Sequence, residues 1–411
     1  MSGNVLIVQS GNLSSAGNSS LSGIITESLE HEYIEEIYGS RDGVQGILNE
    51  NFIDLAAESQ QSIRALKTMP GAALGAYPNF IQQPKELQRI LEVLQAHNIH
   101  FLFFIGDRSA QENATKIHAY AQEHEFVLQV LGIPQTIDND LSMTDHCLGY
   151  GSAIKYIATS VREIFSDMVS SGIPNLVSII EVMGHHTGWL AAGASLAKRK
   201  DHPEDAPHLT YLPEVSFSKE QLLNDVQAVL QSLPCCVIVV AEGIIDAEGN
   251  FVRAKSNLSI EDVTTAGGST GDVLKAMITS ELNIPVHTLK LGSTQRTAIH
   301  CSSKTDIDEA FECGRQAVAL AIEGASGKML TLLREEGSRY DVKFGLADLH
   351  NISHSEKTFP LNWLEEGGYR IHPVYSKYAL PLIQGLPEIK DDNGLPLANF
   401  LKKIPVKRLL S

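Results

Sequence analysis

Cysteine is scarce in this chain, with five residues at 147, 235, 236, 301 and 313 among 411. The number is odd and no Cys-x-x-Cys pair occurs, so no disulfide framework is expected and a reducing compartment fits. Basic residues are also few: 32 Lys and Arg face 49 Asp and Glu, a formal net charge of -17. Nucleic acid and anionic membranes select a basic face, so neither is expected as a main partner. Long apolar runs are missing too, and none reaches the roughly 20 residues that span a bilayer. The opening MSGNVLIVQSGN has neither a basic n-region nor a cleavage site, so no signal peptide is expected and the expected location is the cytoplasm.

What the chain does have is an alternation of short apolar runs with helical patterns. Strands are predicted at 4–9, 100–105, 126–132, 176–182, 235–241 and 286–292, each apolar on both faces as covered parallel strands are. Helices are predicted at 84–98, with Pro84 in its first turn, and at 306–324, starting at Asp306. This order predicts a doubly wound α/β architecture, in which ligands sit beyond the carboxyl ends of the strands.

Most of the distinctive polar residues fall in the loops after those strands. SGNLSSAGNSS (10–20) could offer backbone N–H groups to a phosphate, or simply cap a helix. GDRS places Asp107 where a carboxylate can hold Mg²⁺, or can close an Asx-turn, with Arg108 beside it. GIPQTIDND (132–140) supplies Asp138 and Asp140, two carboxylates able to divide proton acceptance and charge work in phosphoryl transfer, with the Thr136 hydroxyl nearby. MGHHTG carries adjacent His185 and His186, with no further ligand at zinc spacing. AEG supplies Glu242, and GSTQRT supplies Arg296. No G-x-G-x-x-G follows the first strand, which counts against a dinucleotide enzyme.

Taken together these segments resemble the phosphofructokinase family, and within it the pyrophosphate-dependent branch. GIPQTIDND resembles the family's Thr-Ile-Asp-Asn-Asp signature, and EVMGHHTGW its Glu-Val-Met-Gly-Arg motif. TDHCLGYGSAIKYIATSVRE (144–163), LGSTQRTAIHCSSKTDIDEA (291–310) and YSKYALPLIQG (375–385) resemble further stretches of that branch. The resemblance implies two doubly wound, Rossmann-like three-layer domains with the active site in the cleft between them. It implies a phosphoryl-donor domain at 1–140 plus about 260–325, a sugar-phosphate domain at 141–259 plus about 326–385, and a C-terminal extension at 386–411. The substrates it implies are fructose 6-phosphate and pyrophosphate, with Mg²⁺, in a homodimer or homotetramer. Asp138 is then the base for the 1-hydroxyl, assisted by Asp140, Thr136 and Gln135. Asp107 holds the metal, and Gly11, Asn12, Gly106 and Arg108 approach the donor. Met183, Gly184, His185, Glu242, Ser293 and Arg296, with Thr136 and Asp138, contact the sugar phosphate.

The departures bear on donor and activity. The family's Gly-Gly-Asp reads Ile105-Gly106-Asp107-Arg108 here, and a side chain at the position of Arg108 obstructs a nucleotide, which favours pyrophosphate over ATP. Pyrophosphate users carry Lys where Gln135 stands, and Arg108 is the candidate to supply that charge. Asn12 replaces a Gly, and His185, His287 and Pro78 stand at or near places where the family has phosphate-binding Arg. Two alternatives stay open at this stage. One is a regulatory paralogue that binds sugar phosphate; the other is a phosphotransferase for another sugar phosphate.

Overall fold

The computed structural model describes residues 2–78, 80–253, 268–337, 339–353, 355–365, 367–389, 391–396 and 401–410. By their contacts the residues fall into two compact units: Met1–Ser152 with Arg296–Glu356 and Gln384–Ser411, and Ala153–Gln295 with Lys357–Ile383. The strands of their large sheets, in chain order, are β1 (Gly3–Ser10), β2 (Ile34–Ser40), β3 (Phe52–Asp54), β4 (Ile99–Gly106), β5 (Gln129–Thr136), β6 (Leu148–Gly149), β7 (Leu176–Val182), β8 (Leu209–Tyr211), β9 (Cys235–Ala241), β10 (Val286–Lys290), β11 (Lys328–Arg334) and β12 (Val342–Asp348).

The first unit is built on a sheet ordered β12-β11-β5-β4-β1-β2-β3, with β6 added to the end of β5. Its centre is parallel and both edges are antiparallel, β3 against β2 and β12 against β11. Side chains of a strand alternate between faces, and the central strands β1, β4 and β5 are buried at nearly every position, so each feeds two cores. Val5, Ile7, Phe103 and Ile105 pack into one core with the helices Gly17–Ser28 and Lys304–Ile322. Leu6, Val8, Leu102 and Phe104 pack into the other with Pro84–Ala96 and Arg108–Glu123. The helix Pro84–Ala96 starts at its proline and is capped reciprocally by Gln83 and Glu86.

The second unit has an all-parallel sheet ordered β10-β7-β9-β8. Strands β7 and β9 are buried throughout. Among the described residues, no helix is long and apolar enough to cross a membrane. All five cysteines are free, four of them buried.

The expected α/β class with parallel sheets is the one observed, but several sequence readings need correction. Strand β10 is an edge strand, with His287 and Leu289 exposed, rather than one covered on both faces. The last long helix begins at Lys304, not Asp306, and Asp306 is buried. Its carboxylate accepts from the N–H groups of Gly149 (2.7 Å) and Ser152 (3.0 Å), and so caps the helix Tyr150–Ser171 instead of its own. Residues 326–356 stay with the first unit because β11 pairs with β5, and 270–295 stay with the second because β10 pairs with β7. The expected boundary at 259/260 lies outside the described residues. The C-terminal stretch is an added edge: Asp54 N donates to Ile404 O (2.8 Å) and Val406 N to Phe52 O (3.0 Å), alongside β3.

Candidate active site

Three central strands of the first sheet end level. Ser10 of β1 stands beside Gly106 of β4, and Gly106 beside Pro134 of β5. Parallel strands deliver their following loops to one edge of the sheet, so this register collects Gly11, Asp107 and the end of β5. A Cβ on Gly106 would meet Ser10 O at 2.3 Å, so glycine is what lets β1 and the next helix close in there.

Asp107 has two tasks. Its Oδ1 caps the helix Arg108–Glu123, accepting from Ser109 N at 2.9 Å and Ala110 N at 3.4 Å. Its Oδ2 faces the first loop, where Asn12 N donates across 3.4 Å. Gly11 holds φ +84, and a Cβ on it would lie 2.1 Å from that oxygen. The first loop therefore carries glycine for both its backbone and its space. Arg296 donates a short hydrogen bond to the Asn12 side chain, and its carbonyl accepts from Ser15 N at 2.8 Å. That places the Arg296 cation on the first loop of its own unit.

GIPQTIDND is only partly a loop. Gly132–Thr136 complete β5, and the chain turns at Ile137–Asp138. Thr136 Oγ1 accepts from Asp138 N (3.2 Å). Asn139 takes φ +54, and its Oδ1 accepts from Cys147 N (2.9 Å), anchoring the turn. The carboxylates on either side of Asn139 are half-buried. Burial pushes the Asp140 carboxyl above the ordinary aspartate range, although Arg108 pulls it down.

Gln135 is fully buried, and its Nε2 donates to Ser14 Oγ (2.7 Å) and Leu148 O (2.9 Å). It ties the first loop to β6. Arg108 lies beside the Asp140 turn. Its Nη2 lies 3.5 Å from Asp140 Oδ2 and 3.3 Å from Glu356 Oε1, because helix Arg108–Glu123 starts beside the Asp140 turn. Pro78 is exposed.

In the second unit the ends of β7 and β9 also lie together. Glu242 N donates to Val182 O (2.9 Å), and Gly243 N to Gly184 O (3.2 Å). Gly184 holds φ +119, and Met183 N donates to Gln295 Oε1 (3.2 Å). His185 Nε2 lies 3.5 Å from Glu242 Oε1, and the Glu242 carbonyl accepts from Thr270 Oγ1 at 2.8 Å. His185 is exposed, as is Ser293 on the loop after β10. Each unit thus gathers its own share of the sequence-selected residues at its strand ends.

Sequence reasoning missed the supports. Ser14, Asn139, Glu356 and Gln295 hold the selected residues, and Glu214 accepts from Gly188 N (2.9 Å) at the end of MGHHTG. Asn139 could have been found, since Asn between two Asp favours a left-handed turn. Glu356 had no signal, because it lies more than 200 residues from Arg108 in the chain and meets it only through folding.

Comparison with known proteins identifies the family of the chain. The phosphofructokinase family profile matches residues 4–321. A protein named pyrophosphate–fructose 6-phosphate 1-phosphotransferase from Xanthomonas campestris pv. campestris is 34% identical over 414 residues, covering 99% of this chain and 98% of that one. A protein of the same name from Halomonas elongata is 33% identical over 413 residues, with 99% and 98% covered. The crystal structure of a pyrophosphate-dependent phosphofructokinase from Nitrosospira multiformis superposes with a TM-score of 0.92 at 32% identity, covering 99% of this chain and 98% of that chain. With the family profile running through both units and relatives alike from end to end, the chain belongs to the phosphofructokinase family.

Proposed function

We propose that the chain transfers a phosphoryl group from pyrophosphate to the 1-hydroxyl of fructose 6-phosphate, giving fructose 1,6-bisphosphate. The observation that carries this reading is the Ile137–Asp140 turn at the end of β5, level with Asp107 and Gly11 at the ends of β4 and β1. Phosphoryl transfer asks for a carboxylate to take the hydroxyl proton, and otherwise for positioning and charge neutralisation. Asp138 is the base. Thr136 fixes its backbone by the bond to Asp138 N, and Asn139 fixes the turn that presents it. Asp140 assists, with its charge balanced by Arg108. Gln135 keeps the first loop against β6 and is a positioning residue.

The donor set fits Mg²⁺. Asp107 spends Oδ1 on the helix cap, while among the described residues Oδ2 meets only the long contact from Asn12, which leaves an oxygen for a hard cation. Bound there, the ion supplies charge neutralisation to the pyrophosphate oxygens. Arg296, bonded to the Asn12 side chain, and the backbone of Gly11 and Asn12 beside Asp107 would face the donor. The bulk of Arg108 beside Asp107 supports pyrophosphate over a nucleotide. Met183, Gly184, His185, Glu242 and Ser293 of the second unit bind the sugar phosphate. The chain then acts as a cytoplasmic homo-oligomer in glycolysis or gluconeogenesis.

A coupled assay of the purified chain with fructose 6-phosphate, Mg²⁺ and either pyrophosphate or ATP tests this. Turnover is expected with pyrophosphate and little with ATP. Asp138→Asn is expected to lower kcat by about 10²–10⁴, the usual worth of a general base, with the KM for fructose 6-phosphate little changed. No turnover with either donor would sink the reading, as would an Asp138→Asn protein that keeps its rate.

A further inference from the structure

The first unit holds a second charged recess, a cavity of about 300 Å³ whose polar lining is Arg64, Lys67, Thr68, Lys304, Asp308 and Glu388. None of these residues belongs to the strand-end loops. In a chain of net charge -17, three cations around one small cavity are a local reversal of sign. Two of them share one carboxylate: Lys67 Nζ lies 3.9 Å from Asp308 Oδ1, and Lys304 Nζ hydrogen-bonds the same side chain. Lys67 is held in place from behind, its ammonium 3.8 Å from the centre of the Phe311 ring. Arg64 is exposed and has no carboxylate partner among the described residues. Ion pairing within the recess therefore leaves positive charge unspent.

The recess opens at the first turn of the 19-residue helix Lys304–Ile322, where the helix field also favours an anion. The first N–H groups there are taken: Lys304 N donates to Gly385 O (3.3 Å) and Thr305 N to Gln384 O (3.2 Å). Recognition thus falls to the side chains. Arg64 supplies a forked guanidinium, suited to a phosphate's paired oxygens, and the lysines supply point charges. Ile307 and Pro387 add apolar wall. A cavity of about 300 Å³ has room for a phosphate group on a few carbons and is at the low end for ligand sites. We propose that this recess is a binding site for a small phosphate-bearing anion, separate from the strand-end site.

Inorganic phosphate, titrated calorimetrically into the purified full chain at constant ionic strength, is the probe. The strand-end site contributes equally in every protein compared, so the signal that matters is the difference between them. Wild type is expected to show a binding class that Arg64→Met/Lys304→Met loses or weakens about tenfold or more, as removal of charge-assisted bonds does. Its kcat at saturating substrate should be unchanged. Glu388→Gln removes a like charge from the rim and is expected to tighten the same class several-fold. If the double variant fails to fold, Glu388→Gln decides alone: tightening supports the site, and unchanged or weaker binding overturns it. Matching isotherms for wild type and a folded double variant also overturn it. Glycerol 3-phosphate is the second probe; tighter binding than inorganic phosphate assigns the apolar wall to the ligand's carbons, and equal binding assigns the site to phosphate alone.

Discussion

Gly11 shows how much one residue can decide. It must accept φ +84, and it must also leave room, because a Cβ there would sit 2.1 Å from the Asp107 oxygen that faces the loop. Gly71 offers a control within the same unit: its φ is +76, yet a Cβ on it would meet nothing within 4 Å. Alanine at either position is expected to destabilise by about 1 kcal/mol through the backbone alone. Gly11→Ala should also lower kcat about tenfold or more, because it moves the carboxylate assigned to the metal. Urea melts and the coupled assay separate the two effects. Equal activity in the two variants would show that Asp107 tolerates displacement. Arg108 makes the complementary point. Its type and position were plain from sequence, but its partners, Asp140 and Glu356, arise from a turn and a distant segment that only the fold brings near.

At the scale of elements, the legible parts were those whose burial is uniform. Strands β1, β4, β7 and β9 are buried at nearly every position, and their apolar runs announced them. Two of the missed strands carry mixed patterns. Strand β2 reads IEEIYGS with only three of its seven positions buried, and β12 reads VKFGLAD with one. Strand β12 is an edge strand and β2 lies beside the edge strand β3, where neither is covered along its whole length, so their sequences do not stand out. The Gly-Ile-Pro-Gln-Thr stretch looked like loop because Gly and Pro usually break strands. Here Gly132 makes room for the Gln111 side chain, whose Oε1 would lie 1.8 Å from a Cβ. A similar economy joins the helices Gly17–Ser28 and Lys304–Ile322. A Cβ on Gly314 would approach Ser20 O to 2.2 Å, and one on Gly23 would approach Phe311 O to 2.1 Å. Both obstacles are backbone, so neither can swing aside. Gly314→Ala is expected to destabilise by about 1–3 kcal/mol despite alanine's better helix propensity, and chemical denaturation measures it. A stabilised Gly314→Ala protein would mean that the helices do not pack this closely.

The whole chain passes between its units at residues 152/153, 295/296, 356/357 and 383/384, so the first unit is assembled from three separated stretches. What fastens the first two of them is partly electrostatic. His146 is buried, with Nδ1 2.9 Å from Asp145 Oδ2 and Nε2 2.9 Å from Glu309 Oε2. Arg334 Nη2 lies 2.9 Å from Asp145, and Tyr340 donates to Glu309 at 2.6 Å. Burial opposes the imidazolium, but Glu309 and Asp145 outweigh it and raise its pKa from 6.5 to about 9. A raised folded-state value fixes the sign of the pH effect. Below about pH 6.5 the imidazole is protonated in both folded and unfolded chains, and the network contributes in full. Between there and about pH 9 the unfolded chain gives up its proton while the folded chain keeps it, so the contribution falls; above pH 9 it is gone. The swing is at most about 3 kcal/mol. The unfolding free energy of wild type minus that of His146→Gln should therefore be largest near pH 6 and shrink steadily toward pH 9. A difference independent of pH would show that His146 is neutral in its site and that packing, not charge, joins these stretches.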